Sequence, residues 1–485
     1  MYSGVAGVER QQSSPFFLQQ HGILLYCCVV LACLYSTCLS AQNSSPFYLS
    51  AAVKNGVQNY QSIRARGHYL AASGALVENA RNLYLPDITA SLQEAYGTIN
   101  GQFGPAAGFG GAGIASAGPA YTSQSWNAAF GAVYLLNANW EVISFGRLRS
   151  RVAAARAQLQ LDSANLLQEQ FVHSVRVAGT YLNLLIAQRF IQNAQANIER
   201  AAAVQQSVIA RAKTGLIAGV DSSIANAEVS GARLSLLQAV SNEQRIRNQL
   251  AQLLNASPDP VILDSSFFSQ VPSSFSTSAS ITQNPQVQYY ERRIAQSYAT
   301  EKLLRNSINP GLNLFGTFQG RGSGFDYNYT PDFTDRYSKS YFTGIKPERY
   351  NYLLGIGIAW NLMSPLKIKQ QVRSQSFLSA AYKDEYDQVA TQLKDQLVLA
   401  DQQIENSLQS IREAPVQLKA ATDAYLQKTV LYKNGLANIV DVQQALFTLN
   451  RAQTDNSVAY INIWQALLLK AAASGDFDLF IKQVK

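Results

Sequence analysis

The segment KTGLIAGVDSS, residues 213–223, returns with few changes as KNGLANIVDVQ at residues 433–443. Both copies hold a lysine, a Gly-Leu pair and a Val-Asp pair at the same spacing: Lys213, Gly215, Leu216, Val220 and Asp221, then Lys433, Gly435, Leu436, Val440 and Asp441. Glycine allows the tight or left-handed conformation that ends a helix, and aspartate can cap or charge the start of the next one. Each copy therefore predicts a turn between two helices.

The similarity extends well beyond this turn. NWEVISFGRLRS at residues 139–150 aligns with AWNLMSPLKIKQ at residues 359–370, so that Trp140 corresponds to Trp360. The offset between the two tryptophans equals that between the two turn aspartates (360 − 140 = 441 − 221 = 220), so the intervening segments have the same length. Self-similarity at a fixed spacing indicates a repeated structural unit. The chain is predicted to contain one unit twice.

Each repeat has the predicted order helix, β-hairpin, long helix, turn and helix. A segment rich in serine and proline, without helical periodicity, separates the two repeats and is interpreted as a connector. The predicted boundaries are a signal peptide at 1–41, a first repeat at 42–255 with its β-hairpin at 86–141 and its tip turn at 213–221, a connector at 256–284, a second repeat at 285–475 with its β-hairpin at 311–361 and its tip turn at 433–441, and a C-terminal tail at 476–485.

The N-terminal region holds every cysteine of the chain within one short apolar stretch. The four are Cys27, Cys28, Cys33 and Cys38. The stretch ends in small residues, which is the layout of a secretory signal peptide cleaved after Ala41. VLAC at 30–33 offers a lipoprotein cleavage site as the alternative. Cleavage after Ala41 leaves no thiol for a disulfide or a thiolate zinc site. We expect no metal and no cofactor.

Alternating residue character predicts membrane strands. From Trp126 to Trp140 every second residue is apolar or small, with several polar residues between, and the stretch from Tyr352 to Trp360 alternates in the same way. These four aromatic residues are candidates for the girdles at the membrane interfaces of an outer-membrane barrel. A soluble hairpin packed on a core is the alternative. Long polar or glycine-rich loops at the same end of both hairpins favour the barrel.

The copy number of the protein follows from the strand count. Four strands cannot close a barrel, and open sheet edges are not tolerated in lipid, so several copies must share one barrel. Two copies would supply eight strands and three would supply twelve, and both numbers can close.

Long helices form the other part of each predicted repeat. Residues 147–213 contain no proline, and their apolar residues recur at helical spacing over a length of about 100 Å. In the second repeat Pro415 interrupts the corresponding helix, and a kink is expected there because proline removes a backbone donor and clashes with the preceding turn.

Composition argues against several other functions. Lys and Arg number 39 against 31 Asp and Glu, giving a net charge of +8 without the clusters of a nucleic-acid surface, so no nucleic-acid partner is expected. The three histidines lie apart, and GFGGAG at 108–113 sits inside a loop where a dinucleotide site would need a strand and a helix. We therefore expect that the protein is not an enzyme. A soluble periplasmic coiled-coil adaptor or scaffold is a further alternative, but it would not need the four strands.

With these features in place, the sequence resembles the TolC family of outer-membrane efflux and secretion channels. The resemblance covers nearly all of the mature chain: LSAAVKNGVQNYQSI at 49–63, a proline before each first strand, a tryptophan ending each second strand, and the paired Gly-Leu turns followed by Val-Asp. It implies an α+β membrane protein, a homotrimer with a twelve-stranded β-barrel in outer-membrane lipid, continued by a long α-helical barrel in the periplasm and built from two tandem repeats.

The resemblance also implies the function of an exit duct. The channel would conduct drugs, other small molecules or ions out of the cell from a periplasmic membrane-fusion adaptor and, indirectly, an inner-membrane pump of the RND or ABC type. The alternative with the same fold is the exit channel of a type I protein secretion system.

Site residues are implied by matching positions at the tips. Gly215, Leu216, Val220 and Asp221, with Gly435, Leu436, Val440 and Asp441, match the tip that docks the adaptor. Tyr432, Asp221 and Asp441 match the gate. Two gate positions depart from the family pattern, because Ala437 stands for an arginine and Gln444 for an acid. We hypothesise a gate closed mainly by packing and hydrogen bonds, with Asp441 as an acidic ring that favours cations. Each aspartate could instead serve only as a helix cap.

Overall fold

The protein is described from a computed structural model that covers residues 46–101, 120–275 and 280–484. The predicted signal peptide, the four cysteines, the VLAC site and the GFGGAG motif lie outside the described residues.

The described elements alternate between helical and hairpin segments. In chain order they are α1 (Leu49–Asn59), α2 (Gln61–Asn82), β1 (Asp87–Thr98), β2 (Ala128–Ile143), α3 (Arg147–Lys213), α4 (Gly219–Leu254), α5 (Pro285–Asn306), β3 (Gly311–Ser323), α6 (Tyr341–Ile345), β4 (Arg349–Ala359), α7 (Ser364–Lys433), α8 (Ile439–Ser474) and α9 (Asp478–Ile481).

Two long helical hairpins dominate the molecule. Helix α3 has 67 residues and packs on α4, and helix α7 has 70 residues and packs on α8. At 1.5 Å per residue each long helix reaches about 100 Å. Within the described part of the chain, no helix is both long enough and apolar enough to cross a bilayer.

Helix α7 continues through Pro415, so the prediction that this proline interrupts the helix is wrong. Proline removes one backbone hydrogen bond and costs about 3 kcal/mol. Contacts with α8 lie on both sides of Pro415: Lys470 pairs with Asp401 at 2.7 Å, and Gln417 donates to Asp455 at 3.2 Å. Such packing offsets the local cost. A bend at this position stays a prediction.

The four strands form one antiparallel sheet in the order β1-β2-β3-β4. The strand register places Leu136 opposite Phe318, and Phe318 opposite Tyr352, on one apolar side of the sheet. The other side carries Asn, Gln, Ser and Thr among apolar and small residues, and Thr317 Oγ1 donates a 2.9 Å hydrogen bond to Asn137 Oδ1 there. The unlike faces that the alternation predicts are therefore present across all four strands.

One carboxylate lies on the apolar side of the sheet. Glu94 accepts a 2.8 Å hydrogen bond from the hydroxyl of Tyr341, which belongs to the short helix α6 in the loop between β3 and β4. The ring of Tyr341 also meets Phe130 edge-on, with 5.2 Å between centroids. Helix α6 thus folds against β2 and provides a hydrogen-bond partner for a carboxylate that would otherwise lie unpaired on the apolar side of the sheet.

A large core joins the connector to the middle of the helices. Tyr181 of α3 is fully buried there; its hydroxyl donates to the Phe47 carbonyl at 2.6 Å and accepts from the Asp264 amide at 3.1 Å. Burial raises the pKa of Tyr181 to about 12. Trp464 of α8 donates to the Gln270 carbonyl at 3.2 Å. The connector is therefore a packed part of the structure.

A second core lies near the ends of the two helical hairpins. It contains Val208 of α3, Val229 of α4, Tyr432 of α7 and Leu446 of α8, all buried. We call this cluster the tip core. Because it draws on all four long helices, it fixes the two hairpins relative to each other just behind their turns.

Candidate functional site

The two helical turns have the same backbone geometry. Helix α3 ends at Lys213 and α7 at Lys433, and each is followed within two residues by a glycine in the left-handed region. The φ angle is 74° at Gly215 and 79° at Gly435. This region penalises any side chain with a Cβ, so glycine is the residue that can end both helices in this way.

Four apolar side chains project from these turns. Leu216 is 70% exposed and Leu436 75% exposed, and Val220 and Val440 are exposed as well. We call these four residues the tip patch. By contrast, Ile439, next to Val440, is buried in the tip core. The tip patch is thus the part of each turn that the chain's own packing leaves uncovered.

The two turn aspartates have different surroundings. Asp221 lies in the first turn of α4, where Ala218 occupies the N-cap and offers no side-chain acceptor. At the start of α8, Asn438 caps the helix by accepting a 2.8 Å hydrogen bond from the amide of Asp441. The carboxylate of Asp441 also pairs with Lys428 Nζ at 3.3 Å. The charge of Asp441 is therefore partly balanced within its own hairpin, whereas Asp221 forms no such pair among the described residues.

The predicted gate tyrosine is held by an arginine from the other hairpin. Tyr432 is only 4% exposed, and the guanidinium carbon of Arg211 lies 5.0 Å from the centroid of its ring. Arg211 also donates a hydrogen bond to the backbone carbonyl of Tyr432. This carbonyl also accepts a 3.0 Å hydrogen bond from the backbone amide of Gly435. Arg211 therefore adds a second donor, from the other hairpin, to an acceptor at the end of α7.

The hydroxyl of Tyr432 is buried without a hydrogen-bond partner among the described residues. Burial raises the pKa of Tyr432, and the field of Asp221 raises it further, while nearby Arg211 lowers it. The phenol is therefore neutral near neutral pH. Asp221 is close enough to act on Tyr432 electrostatically but does not accept its proton in a hydrogen bond.

Arg211 was not identified by the sequence reasoning. The family pattern places the gate arginine where this chain has Ala437, which instead packs partly buried against the tip core. A signal was present in the comparison of the two turns, because Arg211 and Ala212 correspond to Leu431 and Tyr432 at the same offset. The first turn thus follows an Arg-Ala pair and the second a Leu-Tyr pair, so the charged and the aromatic residue each occur in only one of the two copies.

The predicted interface aromatics lie at the sheet. Trp126 precedes β2 and is highly exposed, and Tyr352 is exposed on β4. Trp140 donates its indole hydrogen to the Tyr84 carbonyl at 2.8 Å, and Trp360 donates to the Ile308 carbonyl at 3.0 Å.

Each of these carbonyls stands two residues before a proline that leads into a strand. An exposed ring with a tethered polar end suits a membrane interface. Across the described ranges, no group of His, Cys, Asp and Glu side chains is arranged to hold a metal ion.

Comparison with known proteins extends these observations. The family model described as outer membrane efflux protein matches residues 53–256. No curated protein matches the sequence. The fold is similar to that of VceC from Vibrio cholerae, at 14% identity and a TM-score of 0.70 over 88% of this chain and 96% of that one.

Two further solved channels have the same fold. CmeC from Campylobacter jejuni is 14% identical with a TM-score of 0.70, covering 90% of both chains. The open state of MtrE from Neisseria gonorrhoeae is 18% identical with a TM-score of 0.67, over 88% of this chain and 89% of that one. At such identities these likenesses show the fold, and the similarity to the family rests on the sequence match over residues 53–256. Over residues 53–256 the chain is similar to the outer membrane efflux proteins, the TolC family, and over most of its length it has the fold of the outer-membrane channels CmeC and MtrE.

Proposed function

We propose that three copies of this chain close one twelve-stranded β-barrel, each contributing two tandem structural repeats. The support is the sheet itself: it has an apolar side, and its outer strands β1 and β4 each have one edge that no described strand pairs. Open edges are costly in lipid, so β4 of one copy would pair with β1 of the next. The fold shared with VceC and CmeC agrees with this arrangement.

We further propose that the trimer is the exit duct of a tripartite efflux pump. Six helical turns, two from each copy, would form a rim at the periplasmic end of the tunnel. The tip patch is the observation that carries this proposal, because exposed Leu and Val side chains at both turns give the rim an apolar surface that a hairpin of an adaptor can cover.

The gate is proposed to close through contacts between the two hairpins of each copy. Arg211 and Tyr432 hold α3 against α7 just behind the turns, where the family pattern would use an arginine at position 437. The proposed gate also includes Tyr432, Asp221 and Asp441. Asp441, being paired with Lys428, is proposed to make only a weak acidic ring.

The docking proposal is tested by cross-linking in intact cells. A tag on the C-terminal tail recovers the protein with whatever it contacts, and an adaptor and its pump are expected in the recovered complex. With the double variant Leu216→Glu, Leu436→Glu, the amount of adaptor recovered should fall at least tenfold, while a native gel still shows the trimer.

Ile262→Glu is the matched control, since Ile262 is similarly exposed but lies in the connector. Equal loss with the control would show that the turns do not dock the adaptor. The class of pump recovered, and whether cells lacking the protein retain a drug or a polypeptide, separates efflux from type I secretion.

A further inference from the structure

The polar side of the sheet faces water in a closed barrel, and we call it the pore face. Asn137 and Thr317 lie on it, and the strand register extends it along all four strands. The helices leave the sheet at the end where β2 finishes at Ile143 and α3 begins at Arg147. The opposite end of the sheet is therefore the outer mouth.

Charged residues on the pore face occur only at its two ends among the described strands. Asp87 and Glu141 lie at the helical end, and Glu141 is paired with Arg147 at 2.6 Å. Arg321 and Arg349 lie at the outer mouth. The stretch between the two ends is lined by Asn, Gln, Ser, Thr and apolar or small residues. A solute leaving the tunnel thus meets two arginines per chain as the last charges on the barrel wall.

Arg321 stands directly opposite Arg349 in the register of β3 and β4. Opposite side chains in an antiparallel pair have Cβ atoms about 5 Å apart, and like charges there are destabilising. Both arginines are exposed, and among the described residues neither forms an ion pair with a carboxylate. The fold retains two cations side by side that its own residues do not neutralise.

The neighbouring loops do not supply an excess of negative charge that would cancel the pair. Residues 99–127, between β1 and β2, contain no Asp, Glu, Lys or Arg at all. Residues 324–348, between β3 and β4, carry four acids (Asp326, Asp332, Asp335 and Glu348) and three bases (Arg336, Lys339 and Lys346). That net charge of −1 stands against +2 from Arg321 and Arg349, so the outer mouth is positive.

We propose that Arg321 and Arg349 form an anion-binding ring of six guanidinium groups at the outer mouth, and that the barrel favours the exit of multivalent anions bearing carboxylate or phosphate groups. The inference rests on the proposed function, since three copies are needed to close the ring. Guanidinium groups bind carboxylate and phosphate in a bidentate manner, and rings of arginine favour anions in pores.

The test uses the purified protein in a planar bilayer, with inorganic tripolyphosphate as the probe. Tripolyphosphate added on the barrel side should block the wild-type current, and the double variant Arg321→Gln, Arg349→Gln should need at least tenfold more of it. The effect should weaken as salt rises, because mobile ions screen an exposed ring. Tripolyphosphate added on the helical side should act equally on wild type and variant.

The matched control is Arg336→Gln, Lys339→Gln, which removes the same charge from the loop between β3 and β4. An equal rise in the blocking concentration with this control, or none with the strand variant, would overturn the ring. If the channel rests closed and carries no current, calorimetric titration of the detergent-solubilised protein with tripolyphosphate measures binding instead. The same tenfold difference is expected there in the dissociation constant.

Failure of the ring can be told from failure of the proposed function. If the wild-type trimer forms but binds tripolyphosphate no better than the Arg321→Gln, Arg349→Gln protein, the anion-binding ring alone is refuted. If the wild-type protein does not assemble as a trimer, the proposed function is refuted, and so is the ring that depends on it. Both arginines are exposed, so the variant is expected to fold, which size-exclusion chromatography verifies.

Discussion

The guanidinium group of Arg211 lies over the ring of Tyr432, 5.0 Å from its centroid, and donates a hydrogen bond to the carbonyl of the same residue. This pair connects the end of α3 to the end of α7. The contact combines a cation–π attraction with a charge-assisted hydrogen bond to a carbonyl at the end of the helix. It therefore couples the two hairpins at the place where a gate would have to separate them.

Loss of this contact should loosen the tip. Arg211→Ala removes an interaction of about 1–3 kcal/mol, and we expect the single-channel conductance to rise several-fold. Arg211→Lys should lie between wild type and Arg211→Ala, because lysine keeps the charge but not the planar group. Lys213→Ala is the control, since it removes a cation from the same turn of helix. A conductance that is unchanged by Arg211→Ala would show that this pair does not hold the gate.

The acidic ring at Asp441 is predicted to be weak. Asp441→Asn should lower the preference for cations only slightly, because Lys428 already balances the carboxylate in an exposed ion pair. Lys428→Gln should raise the preference for cations, since it leaves the carboxylate without its partner. Reversal potentials in a KCl gradient measure both effects. A cation preference that Asp441→Asn leaves wholly unchanged would count against any ring at this position.

The stability of the protein should fall with acidity because of His173. The ring is fully buried, stacks on Tyr60 at 3.9 Å, and lies 3.1 Å from the Leu253 carbonyl through Nε2. Burial lowers its pKa from 6.5, which outweighs the opposing effects of the Leu253 and Gly56 carbonyls and Glu169.

The unfolded chain therefore takes up the proton first as the pH falls. The contribution of His173 to the free energy of unfolding is fully present above pH 6.5. It is lost as the pH falls from 6.5 to the lower pKa that His173 has in the folded protein. Melting temperatures at pH 7.5 and pH 5.0 should differ less in His173→Gln than in wild type. His68→Gln is the control and should leave the difference as it is. An identical pH dependence in His173→Gln would refute this role.

The buried hydroxyl of Tyr181 should contribute to stability. Tyr181→Phe removes the hydrogen bonds to the Phe47 carbonyl and from the Asp264 amide, and leaves both backbone groups without this partner. We expect a loss of about 2 kcal/mol in the free energy of unfolding. Denaturant unfolding of the detergent-solubilised protein provides the measurement. Tyr298→Phe, on the exposed face of α5, should cost almost nothing; equal losses would contradict the prediction.

Local patterns were enough to predict the elements. The alternation from Trp126 to Trp140 predicted a strand with unlike faces, and the structure has β2 there within a four-stranded sheet. Residues 147–213, without proline, predicted a long helix, and α3 has these bounds. Such patterns are readable because the period of side chains along a strand or a helix is a property of neighbouring residues.

Contacts between distant segments were not predictable in the same way. Arg211 and Tyr432 lie more than 200 positions apart, and their pairing depends on how the two helical hairpins pack, with α3 against α8. The connector reads as a loop in the sequence, yet Gln270 receives the indole hydrogen of Trp464 in the main core. Pro415 was expected to interrupt a helix that the packing of α8 keeps continuous.

The sequence by itself determined the two glycine turns, the strand alternation and the lengths of the long helices, because these depend on backbone conformation and local periodicity. Only the tertiary structure decided which side chains remain uncovered at the turns, which arginine meets Tyr432, and that Arg321 stands opposite Arg349. The physical reason is that charge, burial and exposure are set by what packs nearby in space. In this chain Arg211 and Tyr432 come from different helical hairpins, and Arg321 and Arg349 come from neighbouring strands.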